Sequence, residues 1–154
     1  GEYSIDLMDQ AAEMGFIALS YPTGALGPHA NTLALPRYAM NERFAEMDGF
    51  SVKVNSSALP VVAQLPLDPV RETRRAPRLE LELAEDANVS PAQVTCFYRG
   101  EVLRPELLEA GRRFAVQGEA DLPLGRSRYN CTAPDGEGGF YWFSHLWIYG
   151  PGGS

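Results

Sequence analysis

The spacing of apolar positions changes along this chain. Leu7, Met8, Ala11, Ala12 and Met14 recur at helical intervals, which predicts a helix of about three turns with one apolar stripe. Ser4 stands at the N-cap position, Asp6 complements the positive helix start, and Gly15 closes the segment. Residues 16–19, from Phe16 to Leu19, are apolar without alternation, the pattern of a strand buried on both faces in a parallel sheet or barrel. A Gly- and Pro-rich loop follows over residues 21–36. Next comes a short helix with Asn41 as its cap and Gly49 as its end. Phe50, Val52 and Val54 then alternate with Ser51, Lys53 and Asn55, which predicts a half-buried strand.

Residues 60–77 hold four prolines and run into the cluster Arg71, Arg74, Arg75 and Arg78. This Pro-rich, charged composition predicts a boundary between a unit at 1–64 and a unit at 65–154. Beyond it the pattern is almost wholly β. Leu79, Leu81 and Leu83 alternate with Glu80 and Glu82; Val94, Cys96 and Tyr98 repeat the spacing, and Arg99-Gly100 turns the chain into Val102-Leu103. Phe114 and Val116 mark another strand, Tyr129 to Thr132 another, and residues 135–139 form a turn before a last strand at 140–149. The expected fold is mainly β: a C-terminal β-sandwich preceded by a helix–strand unit. One parallel strand has no sheet of its own. Its partners must come from the β-rich remainder, from another polypeptide, or from protein outside this sequence.

Alternation along the last strand sends Phe140, Trp142, Leu146 and Ile148 one way and Tyr141, Phe143, His145, Trp147 and Tyr149 the other. The first set is the more aliphatic, so it is expected to face the core, with Trp142 inside. The second set, with Tyr141 and Trp147, is then expected to pack on a neighbouring domain or to stack on sugar rings.

A chain of 154 residues, with 15 Gly and 12 Pro, can bury a core and is turn-rich. Its net charge is −7, and its 13 basic residues are all arginine except Lys53. That balance argues against nucleic acid, which demands a basic face. No run approaches the ~20 apolar residues of a membrane span. No nucleophile elbow or phosphate-binding Gly loop occurs, so nucleophilic acyl transfer and nucleotide chemistry have no support. The chain begins at Gly1 rather than Met, and its natural N-terminus is expected to lie upstream. Cys96 and Cys131 sit in strand-like runs and allow one cross-sheet bridge; the other reading is two buried thiols.

Two segments carry a family resemblance. GFIALSYPTGALGPHANTLALPRY, from Gly15 to Tyr38, resembles the closing barrel strand and exit segment of NodB-homology polysaccharide deacetylases (carbohydrate esterase family four). GRSRYNCTAPDGEGGFYWFSHLWI, from Gly125 to Ile148, looks like the last strands of the β-domain that follows the barrel in some bacterial members. Residues 50–62 sit where such proteins leave the barrel. The helix–strand unit would then be the end of a deformed (β/α) barrel, with Arg37 of the Leu-Pro-Arg match holding the barrel exit.

The resemblance implies a metal-dependent amide hydrolase acting on an envelope or extracellular polysaccharide. In that family one Asp and two His hold a divalent, zinc-like ion, a second Asp is the base and a further His the acid. The motifs that supply them, Thr-Phe-Asp-Asp-Gly and His-x-x-x-His, are not in this sequence, whose two histidines are His29 and His145. No metal or other cofactor is therefore expected in this chain. The ion belongs to the complete enzyme, on an upstream part of the same protein or on a companion chain of a cleaved one. This chain alone is expected to be inactive as a deacetylase. The opposing reading is a non-catalytic carbohydrate-binding or interaction module.

His29 reads as a solvated loop histidine or as an acid or substrate contact; Gly27-Pro28 precede it where the family's catalytic His follows a Leu-x-Leu strand. Tyr21, Thr23 and Asn31 of the same loop, with Tyr141 and Trp147 of the last strand, are the candidate sugar contacts. Asn130-Cys131-Thr132 matches a glycosylation acceptor, although the resemblance is to bacterial proteins. An extracytoplasmic location follows from the family, and it favours the Cys96–Cys131 disulfide over free thiols.

Overall fold

Strands account for most of the regular secondary structure in the computed structural model, which describes residues 3–17, 23–39, 46–108 and 111–150. They are β1 (Ser56–Ala58), β2 (Val61–Leu65), β3 (Val70–Arg71), β4 (Leu79–Leu83), β5 (Thr95–Tyr98), β6 (Glu101–Leu103), β7 (Glu106–Leu107), β8 (Arg113–Val116), β9 (Gly125–Pro134) and β10 (Phe140–Tyr149). One sheet has the order β1-β10-β9-β5-β6, with β3 also paired to β10; the other has the order β2-β4-β8-β7. The fold is mainly β, as the alternation predicted.

The two sheets close on one core. Leu79, Leu81, Leu83 and Phe114 from one meet Cys96, Tyr98, Tyr129, Cys131 and Trp147 from the other. The leucines of β4 are buried while Glu80 and Glu82 between them are half-buried, so one polar row lies on the outer face of a sandwich layer. Arg99 and Gly100 turn β5 into β6 with φ of 47° and 88°, the left-handed pair that a two-residue hairpin requires. At the β9–β10 turn, Asp135 Oδ1 accepts from the N–H groups of Glu137 and Gly139 at 2.8 and 2.9 Å. Cys96 and Cys131 face each other across β5 and β9 and form a disulfide, with Cα atoms 4.0 Å apart.

The first helix, α1 (Ile5–Glu13), forms as its stripe predicts. Ser4 Oγ accepts from Leu7 N–H at 3.2 Å. Met8 packs with Tyr3 and Leu146 in a smaller apolar cluster, so α1 covers the face of β10 turned away from the sandwich interior.

Three expectations require correction. Phe16 and Ile17 lie in no strand and are 52% and 85% exposed; an unbroken apolar run makes a strand only where neighbours pair with it and cover it. The rest of that run, Ala18 and Leu19, falls outside the described residues. The alternation at residues 50–54 belongs to a helix, α2 (Met47–Val54), in which Phe50 N–H donates to Glu46 C=O at 2.8 Å. Phe50 and Val54, four positions apart, share a face in a helix as well as in a strand, so a run this short does not separate the two periods. Gly49 lies inside α2, which ends at Asn55, and Asn41 is outside the described residues.

The predicted boundary between residues 64 and 65 falls within β2. On either side of it, β1 and β3 both run parallel to β10.

Candidate functional site

Strand β10 is held along its whole length on one side by β9 and only at its two ends on the other. Leu59 N–H donates to the Trp142 carbonyl at 3.0 Å, and Ile148 N–H donates to the Pro69 carbonyl at 2.9 Å. In a strand, the N–H and C=O of alternate residues point to the same edge. Ser144 and Leu146 therefore direct theirs to the edge that Trp142 and Ile148 use. Among the described residues no strand pairs with that edge between β1 and β3.

A cleft of about 330 Å³ opens at this gap. Its floor includes Trp142, Ser144 and His145; one wall is the chain crossing from β1 into β2, from Leu59 to Gln64; the other carries Met8 and the loop that holds Thr23, His29 and Asn31. Loop and floor fit closely. A Cβ on Gly24 would meet Trp142 Cδ1 at 3.5 Å, and one on Gly27 would lie 2.7 Å from Ala58 Cβ, nearer than two carbons pack without one of them moving.

Trp142 is fixed in place by polar and aromatic partners. Its Nε1–H donates to Ser144 Oγ at 2.9 Å, and Ser144 Oγ donates to Asn130 Oδ1 at 2.6 Å. Tyr38 stands edge-on to the indole with centroids 6.1 Å apart. Asn31 Oδ1 accepts from Leu33 N–H at 2.9 Å, which caps the short 3₁₀ turn Thr32–Ala34. Thr23 Oγ1 receives Arg128 Nη1.

His145 is the buried polar group of the site, 2% exposed. Gln64 Nε2 donates to its Nδ1 at 3.3 Å, so the ring proton sits on Nε2, which has no partner among the described residues. Its centroid lies 4.2 Å from the Trp147 ring, and the Arg71 guanidinium carbon lies 4.9 Å from that same ring. Burial, with Arg71 nearby, pushes the imidazole pKa down to about 3, and the ring is neutral at physiological pH.

The candidate sugar contacts divide accordingly. Thr23, His29 and Asn31 all line the cleft, with His29 and Asn31 exposed. Tyr141 packs against the sandwich core. Trp147 is 0% exposed and belongs to that core, which reverses the expected placement of the two tryptophans: the aromatic face is the interior, and Trp142 stands at the cleft. Tyr21 lies outside the described residues, and Arg37 is exposed in its loop. Gln64, Trp142, Ser144 and His145 were missed as site residues. For Trp142 the signal was present, since alternation already placed it opposite Trp147.

The two histidines, 116 positions apart by their numbers (145 − 29), line one cleft. Among the described residues no three His, Cys, Asp or Glu side chains gather as a metal site would require, so the donors grouped here do not fit a catalytic divalent ion. No described helix is long and apolar enough to cross a membrane. Comparison with protein-family models, with curated proteins and with solved structures finds no match to this chain.

Proposed function

We propose that this chain is the C-terminal portion of a metal-dependent polysaccharide deacetylase, one that removes N-acetyl groups from an envelope or extracellular polysaccharide, and that its β-sandwich serves that enzyme as a glycan-binding module. The family assignment rests on the two segments at Gly15–Tyr38 and Gly125–Ile148. The observation that carries the binding role is Trp142: an indole half-exposed in a cleft, braced from behind by Ser144 and Tyr38, among the side chains of Thr23, His29 and Asn31. A fixed aromatic plane with a few polar groups around it suits a sugar ring, which offers an apolar face and a rim of hydroxyls.

In this reading the deacetylation chemistry belongs to residues upstream or on a companion chain, and α1 with its following loop forms the junction to them. The disulfide agrees with an oxidising, extracytoplasmic compartment. The same cleft would also serve a free-standing, non-catalytic module.

The test is calorimetric titration of the purified chain with chitooligosaccharides, cellooligosaccharides and soluble peptidoglycan fragments. We expect binding of at least one of these, weakened about tenfold or more by Trp142→Ala, equivalent to ~1.4 kcal/mol. Absence of binding to all three classes, or binding untouched by Trp142→Ala, overturns the proposal.

A further inference from the structure

We propose that the edge of β10 at Ser144, unpaired among the described residues, recognises the acetamido group of a sugar seated on Trp142, so that this module binds N-acetylated glycan in preference to the same chain without acetamido groups. The inference rests on the glycan-binding reading of the cleft and adds the chemistry that selects the ligand.

A strand edge presents N–H and C=O groups that pair with another amide, and it is ordinarily satisfied by a neighbouring strand. Here β1 and β3 fill that edge at residues 140–142 and 148–149, and the stretch between them opens, at Ser144, into the cleft. The side chain of Ser144 is already committed to Trp142 and Asn130. What it offers the cleft is its backbone.

The flanking strands decide the size of the partner. A peptide adding a strand must continue in both directions along the edge, and there it meets Leu59 and Pro69, which already bond to Trp142 and Ile148. A single amide needs no such run. A trans amide points its C=O and N–H in opposite directions, so it spans from the Ser144 N–H to an acceptor on the facing wall, as one rung of the ladder would. Gln64 stands on that wall with its amide nitrogen turned to His145, which leaves its Oε1 as the acceptor. Leu59, Val61 and Met8 in the same lining provide apolar surface for the methyl group.

The experiment compares chitotetraose with cellotetraose, two neutral oligosaccharides that differ by acetamido against hydroxyl at each ring. We expect chitotetraose to bind at least tenfold more tightly, and the Ser144 amide to gain protection from hydrogen exchange when it is bound. Ser144→Pro, which removes the N–H at an edge position where the sheet does not use it, should abolish the preference, whereas Ser144→Ala should retain it. Equal affinities for the two tetrasaccharides, or tighter chitotetraose binding with no change at the Ser144 amide, overturn the inference while leaving glycan binding intact. Binding of neither removes the reading beneath it as well. The exchange measurement decides the matter even if the proline variant does not fold.

Discussion

Trp147 touches Tyr129, His145 and Arg71 together, with ring centroids at 5.4 and 4.2 Å and the guanidinium carbon at 4.9 Å. Truncating so large a buried side chain leaves a cavity, and we expect Trp147→Ala to cost about 3 to 5 kcal/mol. Trp142→Ala opens no such cavity and should cost clearly less; urea denaturation of both variants checks the order, and equal losses would contradict the assignment of the two faces. His145 adds a pH dependence. Its folded pKa, about 3, lies below its ordinary 6.5, so the unfolded chain takes up a proton in this window while the folded one does not. The associated stability is complete above about pH 6.5 and is lost as pH falls toward 3, at up to ~1.4 kcal/mol per pH unit. Between pH 6.5 and 4 the urea midpoint of the natural protein should therefore fall more steeply than that of His145→Gln. Parallel curves would show that His145 contributes nothing to the acid response.

At the scale of elements, the Cys96–Cys131 bridge joins β5 to β9 across a sequence separation of 35. Constraining a loop of that length in the unfolded chain is worth about 3 to 4 kcal/mol in the chain-entropy model. We expect the Cys96→Ala, Cys131→Ala double variant to lose stability of that order, measured by denaturant unfolding; a loss below about 1 kcal/mol would mean the sandwich hardly depends on it. Both cysteines sit in strands whose alternation was legible, as were β4, β5 and β10, because each has one face against a shared core. The short parallel strands β1 and β3 were not. Ser56–Ala58 and Val70–Arg71 are too brief to show a period, and their partner β10 lies some 70 to 90 positions later in the chain. α2 was misread for a related reason, since Phe50 and Val54 share a face in either period and nothing local chooses between them.

For the whole molecule, the decisive feature is that both faces of β10 are covered. The sandwich closes on Trp147, while Tyr3 and Met8 close on Leu146. Composition argued that the more aliphatic row would be internal, but a row of aromatics fills the space between two sheets, and a short helix suffices to cover the other side. Of the candidate site, the loop residues Thr23, His29 and Asn31 were legible as polar groups in a Gly- and Pro-rich segment, while their convergence with Gln64, Trp142 and His145 was not. The sequence by itself determined the periods of β4, β5 and β10, the α1 helix with its Ser4 cap, the pair of cysteines available to bridge, and the opposition of Trp142 to Trp147. Only the tertiary structure decided which tryptophan is inside, where β10 is left unpaired, and which distant residues share a cleft. The reason is physical: a local period specifies the relative directions of side chains, whereas burial and strand pairing depend on what packs against those directions, and here the packing partners come from distant parts of the chain.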